Sequence, residues 1–169
     1  FSVNFKSLIV NNSQKLPFDQ MARDQKRNDR KQVVFIDSQV QDYQTLIDAF
    51  NKDTEVYLIQ SNEDGFKKID KVLKNDADIS SLHIIGHGSA GKILFGNASL
   101  SNDTIKSYNH TLRSIGQSLT EDGDILFYGC NVASTEGGKT LISKISEITK
   151  ADIACLLYTS DAADDTSRG

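Results

Sequence analysis

Cysteine and proline are both scarce in this chain, with two of the first and one of the second among 169 residues, and long apolar runs are missing altogether. No run approaches the ~20 apolar residues that a membrane-crossing helix needs, so no membrane span is expected. Nothing at the start has the charged-then-apolar layout of a signal peptide, and a secreted destination has to be argued on other grounds. A net charge of -4 gives no pull toward nucleic acid or an anionic membrane. The one basic cluster, Arg23, Lys26, Arg27, Arg30 and Lys31, is interrupted by Asp24 and Asp29 and carries no aromatic between its charges, so it reads as a solvated linker. Internal repeats and low-complexity tracts are absent too. A hydrophobic fraction of 38% and a charged fraction of 25% describe an ordinary globular chain, of a length that fits one domain on the usual prior of ~150 residues.

The ends differ from the middle. Phe1 rather than Met stands first, as in a fragment or a processed product, and residues 1–32, which hold the only proline, Pro17, read as an arm or linker. The run from Cys155 to Asp165 has the look of a translated sequencing adaptor, so residues 155–169 are set aside as a non-native tail. That leaves Cys130 as the single cysteine of the ordered region, 33–154, and excludes an internal disulfide. A lone cysteine is either a small buried apolar residue or a candidate nucleophile.

Between the ends, short β-branched runs alternate with helical periodicity. Val33–Asp37 reads as a strand buried on both faces, Glu55–Ile59, Leu82–Ile85 and Asp124–Tyr128 read as further strands, and a fifth begins at Asp152–Ala154. Tyr43, Leu46, Ile47 and Phe50 form one helical face, with Asp42 placed to cap it. Phe66, Ile69, Val72 and Leu73 form a second, opposite Lys67, Lys68, Asp70 and Lys71. A third runs from Ile105 to Leu119 with Asn102 or Asp103 as its cap and Gly123 as its stop, and a fourth carries Leu141, Ile142, Ile145 and Ile148 after Ser134-Thr135-Glu136. Lys92–Phe95 and Ala98–Leu100, around Gly96-Asn97, suggest a small hairpin projecting from the sheet's edge after the third strand. Strands alternating with helices predict an α/β fold with a mostly parallel sheet covered on both faces.

The third strand breaks into Gly86-His87-Gly88-Ser89-Ala90-Gly91, where several motifs overlap. Gly86, Gly88 and Gly91 match the dinucleotide turn, but that turn must open a helix and Lys92–Phe95 reads as extended. The phosphate-loop frame fails because Ile93 follows Lys92 where Ser or Thr must hold magnesium. A nucleophile elbow fails because His87 stands two before Ser89. His83 and His87 are four apart, ~13 Å on a strand, too far to share a metal; His83 reads as a core or edge histidine. The remaining possibility joins His87 to Cys130, each just beyond a strand that parallel pairing would set side by side. An imidazole there generates thiolate and protonates a departing amine. Gly88 and Gly129, without β-carbons, let a peptide approach closely, and the N–H groups of Gly88 and Cys130 suit an oxyanion.

With Ile84-Ile85-Gly86-His87-Gly88 and, later, Ile125-Leu126-Phe127-Tyr128-Gly129-Cys130, the chain resembles the caspase-like cysteine peptidases, whose signature is an apolar strand ending in His-Gly and another ending in Ala/Gly-Cys. Val33–Ser38 followed by Asp42-Tyr43, the His-Gly-Ser-x-Gly turn and Tyr128–Ala133 are most similar to an uncharacterised domain near the amino end of very long bacterial surface proteins with cadherin-like or calcium-binding repeats. The resemblance covers residues 33–154 and implies a three-layer, doubly wound sheet, His87 as catalytic histidine, Cys130 as nucleophile and Gly88 as oxyanion donor. It implies a substrate pocket beside the first strand, where Asp37 either meets a basic side chain or caps its own turn. It further implies a secreted or surface location and a substrate that is a peptide segment of the same chain or of a neighbouring surface protein. This reading calls for no cofactor and no metal. Its rival is a non-catalytic export, anchoring or adhesion module; nucleotide binding at the glycine turn is a third.

Overall fold

Runs such as Val33–Ile36 and Leu82–Ile85 have no polar alternation, so neither face of the sheet they form can be left in water. The computed structural model describes residues 31–50, 54–128 and 131–156. In chain order these form β1 (Lys31–Asp37), α1 (Tyr43–Asp48), β2 (Glu55–Ile59), α2 (Gly65–Leu73), β3 (Ile79–Ile85), β4 (His87–Ser89), β5 (Lys92–Phe95), β6 (Ala98–Ser101), a 3-10 turn (Ile105–Tyr108) leading into α3 (Asn109–Gln117), β7 (Leu119–Tyr128), a second 3-10 turn (Val132–Ser134), α4 (Glu136–Thr149) and β8 (Asp152–Leu156). Of the expected arm, only Lys31 and Gln32 lie among the described residues, and they open β1. Cys155 and Leu156 end β8 in register with Phe127 and Tyr128; the rest of 155–169 lies outside the described residues.

The architecture is mixed α/β. Five strands in the order β2-β1-β3-β7-β8 form a sheet parallel at every pairing, and β4-β5-β6 form a small antiparallel sheet. Alternation along the strands divides the core. Val33, Phe35, Leu82, Ile84, Ile125 and Phe127 pack with α2, α3 and α4, whereas Val34, Ile36, Ile85 and Tyr128 pack with Leu46 of α1 and with Val40 and Phe50 beside it. The chain steps from β1 outward to β2, then back across β1 to β3 and onward to β7 and β8. Strand order therefore reverses between β1 and β3, the kind of switch point at which open α/β sheets bind ligands.

Several local expectations need correction. Asp42 stands at the N-cap of α1 but in the left-handed region, with φ 61°, and its side chain makes no capping bond. Neither Asn102 nor Asp103 caps the third helix, which starts as a 3-10 turn with Thr104 at its head. Leu119 belongs to β7 rather than to that helix, because β7 already pairs Leu119 with Ile79 before three extra residues bulge out ahead of Asp124, and Gly123 lies in this bulge. The hairpin does not project from the sheet's edge. It follows β3, which is flanked by β1 and β7, so it must fold over the carboxyl rim.

That folding buries Ile93, Phe95, Ala98 and Leu100 in the main core. Phe95 packs against Phe66 at 5.7 Å between ring centroids, and the hairpin turn is tied down by Gly96 N–H to Asp37 Oδ2 (2.8 Å) and Asn97 N–H to the Glu63 carbonyl (2.7 Å). Gly96 has φ +66°, and a β-carbon on it would come within 2.1 Å of the Glu63 carbonyl oxygen. Both facts demand glycine. Gly96→Ala is expected to destabilise the chain by about 1–3 kcal/mol through backbone strain and displacement of the turn, measured as a lower urea midpoint with an unchanged slope.

Candidate functional site

The carboxyl rim is built by the ends of β1, β3 and β7. β3 and β7 run in register from Ser81 opposite Asp124 to Ile85 opposite Tyr128, and the ladder ends with the Gly86 N–H donating to the Tyr128 carbonyl at 3.3 Å. Beyond it the chain enters β4. The Gly91 N–H then donates to the Val132 carbonyl at 3.2 Å. The segment from Gly86 to Gly91, which carries His87 and Gly88, is thus bonded to the 128–132 segment on both sides of the position that holds Cys130. Cys130 and Gly129 themselves lie outside the described residues.

The chain just past Cys130 is firmly anchored. Val132 is fully buried, and the first turn of α4 approaches it so closely that a β-carbon on Gly138 would overlap the Val132 carbonyl. Thr135 caps α4 by accepting from the Gly138 N–H at 3.0 Å, in keeping with the Ser-Thr-Glu start.

His87 is exposed and Gly88 half-buried. On β4, His87 lies directly opposite Leu94 of β5, whose 39% exposure makes it the exposed large hydrophobic residue among those described. Where a dinucleotide turn would need a helix, β4 and β5 are extended strands. Among the described residues no three His, Cys, Asp or Glu side chains converge as metal ligands do, and no helix is long and apolar enough to cross a membrane.

Asp37 is level with Gly86 on the neighbouring strand, because Ile36 pairs with Ile85. It is fully buried. One carboxylate oxygen accepts from the N–H and the side-chain amide of Gln39, at 2.8 and 3.3 Å, and the other accepts from Gly96. It thus caps its own turn and also holds the hairpin.

Sequence reasoning did not find the polar line beneath the rim. His83 Nδ1 lies 2.9 Å from the Tyr128 hydroxyl and Nε2 lies 2.9 Å from Gln32 Oε1, all three side chains being buried. Since an amide oxygen only accepts, Nε2 carries the proton and Nδ1 accepts from Tyr128. The available signal was parity. Gln32, His83 and Tyr128 occupy the α1-facing set of positions on three adjacent strands. Burial holds the His83 imidazole down at about 3 and, with a smaller contribution from Asp124, pushes the Tyr128 phenol well above its usual range.

A family model described as a domain of unknown function, DUF4347, matches residues 33–162. The matched region runs past Ala154 through β8 and beyond it. No curated protein matches the chain.

The neutral state of His83 has a consequence for acid stability. The unfolded chain takes up a proton on this histidine near pH 6.5, whereas the native state holds off until about pH 3. Between those values the unfolded state binds more protons, so stability falls as pH is lowered, by at most about 1.4 kcal/mol per pH unit from this group. Urea unfolding measured from pH 7 to pH 4.5 is expected to show this slope, and His83→Gln is expected to be less stable at pH 7 but to depend less steeply on pH.

Proposed function

We propose that this chain, which belongs to the DUF4347 family, is a cysteine endopeptidase domain of caspase-like, doubly wound layout, with His87 and Cys130 as its catalytic pair. The observation that carries the reading is the pair of backbone bonds, Gly86 to Tyr128 and Gly91 to Val132, which draws the His87 turn against the segment holding Cys130. The strand order supports it as well, since order reverses between β1 and β3 and His87 follows β3 at that switch point.

In this mechanism His87 takes the Cys130 proton, and the thiolate attacks a peptide carbonyl carbon. The oxyanion that forms is held by the N–H groups of Gly88 and Cys130, with Gly129 leaving room for the substrate backbone. Collapse breaks the C–N bond, and His87 returns its proton to the departing amine, leaving a thioester on Cys130. Water, deprotonated by His87, attacks the thioester and frees the carboxylate product and the thiol. Asp37 borders the pocket beside β1, where it fixes the hairpin that carries Leu94 opposite His87. The substrate is a peptide segment of the same polypeptide or of a neighbouring bacterial surface protein, and the domain acts outside the cell.

Incubation of the chain with its native downstream segment, under reductant and with or without calcium, is expected to yield new termini by mass spectrometry. Cys130→Ala abolishes them and His87→Ala slows their appearance by about 100-fold or more. A thiol-directed peptide electrophile is expected to label Cys130 in a His87-dependent manner. Absence of both the new termini and the labelling rejects the peptidase and leaves the non-catalytic surface module.

A further inference from the structure

Cations and carboxylates are unevenly shared over this molecule. Of the eleven lysines and arginines among the described residues, six (Lys67, Lys68, Lys71, Lys74, Lys106 and Arg113) lie in segments 65–74 and 105–117. Of the sixteen aspartates and glutamates, only Asp70 does. The whole chain carries -4, so the layer formed by α2 and α3 opposes the sign of the rest.

From this segregation we propose that the outer face of α2 and α3 is a docking surface for an acidic polypeptide. Lys67, Lys71 and Lys74 step by four and three along α2 and its C-cap, and Lys106, His110 and Arg113 repeat that step along the 3-10 turn and α3. All six are exposed. The step puts each set on one side of its helix over ~10 Å. Side-chain bonds lock the two helices together in one direction. The Tyr108 hydroxyl donates to Asp64 Oδ2, the Ser114 hydroxyl to Asp70 Oδ1 and the Ser118 hydroxyl to the Leu73 carbonyl, pairs that are 44, 44 and 45 residues apart. The near-constant offset means a parallel register, so the two stripes run side by side.

Little on this face cancels its charge. The two carboxylates between the helices are both engaged, Asp70 by the Ser114 hydroxyl and Asp64 by the Tyr108 hydroxyl and the Lys67 N–H, and Lys68 turns aside to pair with Glu63 at 2.9 Å. Among the described residues no ion pair involves Lys67, Lys71, Lys74, Lys106 or Arg113. Like charges this close are within a Debye length of one another, so they raise a joint positive potential and repel until an anion arrives.

The composition of the face selects the anion. It presents no exposed aromatic ring on which bases stack, and no exposed large apolar side chain to enter a bilayer, Leu94 being on β5. Four of its five fixed charges are lysines, which lack the planar fork that arginine offers to phosphate. Flexible ammonium groups meeting flexible carboxylates fit a segment rich in Asp and Glu. The surface is independent of the peptidase reading, since it uses neither His87 nor Cys130.

The test is fluorescence anisotropy of labelled poly-L-glutamate titrated with the purified chain. Saturable binding is expected, weakening about tenfold or more between about 50 mM and about 300 mM salt. Lys67→Glu/Lys71→Glu/Arg113→Glu is expected to abolish it with circular dichroism unchanged, whereas Lys139→Glu/Lys150→Glu on and after α4 changes affinity by less than about twofold. If the triple reversal does not fold, Lys67→Gln/Lys71→Gln/Arg113→Gln takes its place with at least a tenfold loss expected. No saturable binding at low salt, binding that survives the α2 and α3 substitutions, or tighter binding to duplex DNA or to anionic vesicles overturns the proposal.

Discussion

The bond from the Gly86 N–H to the Tyr128 carbonyl is the last rung of the ladder joining β3 to β7, and the shape of the carboxyl rim depends on it. Below it, the two strands are held residue by residue. Above it, β3 leads through Gly86 into β4, and the Gly91 N–H bonds the Val132 carbonyl. Each such bond is worth only about 1 kcal/mol net. Their effect is on entropy and direction. The Gly86–Gly91 segment, pinned at both ends, has few conformations left, and on the proposed peptidase reading this ordering of His87 has been met during folding.

Under the rim, the line Gln32–His83–Tyr128 ties the three central strands in one register. Buried polar groups are costly unless partnered, and here each side chain meets the next at 2.9 Å. A slip of β3 by one residue would carry His83 to the opposite face and leave the Tyr128 hydroxyl and the Gln32 amide facing an apolar neighbour. The network therefore discriminates among registers that the surrounding Val, Ile and Leu side chains would tolerate more evenly. Because Tyr128 contributes its side chain to this line and its carbonyl to Gly86, the setting of the sheet's interior is passed directly to the loop bearing His87.

Much of this was legible in the sequence where one physical signal acted alone. Glu55–Ile59 and the Thr135 start of α4 were read at their observed places, because a short apolar run with β-branched and aromatic residues and an N-cap hydroxyl have little competition. The pairing of Lys92–Phe95 with Ala98–Ser101 was signalled by Gly96-Asn97 for the same reason. Errors arose where tertiary contacts decided. Leu119 continues the three-and-four spacing of α3, yet pairing with Ile79 draws it into β7. Asp42 has the right chemistry for a cap, but it sits in the left-handed region and its side chain makes no capping bond. Parity across three separate strands, which assembles Gln32, His83 and Tyr128, becomes visible only when strand order is known.

Asp37 shows how a residue read as part of a pocket gains a second structural meaning. Its oxygens accept from Gln39 and Gly96, and the hairpin it holds is the element that places Leu94 across from His87. Freeing that carboxylate to meet a basic side chain would leave the Gly96 N–H without its partner at a buried turn, a cost of about 1–3 kcal/mol that a new ion pair would have to exceed. The lower-energy course is for the tether to remain, so that on the proposed peptidase reading a substrate meets the groups that the tether holds in place. Any influence of Asp37 on the rim is then transmitted through the Gly96 turn to β5, so the first strand acts on the site by positioning the hairpin.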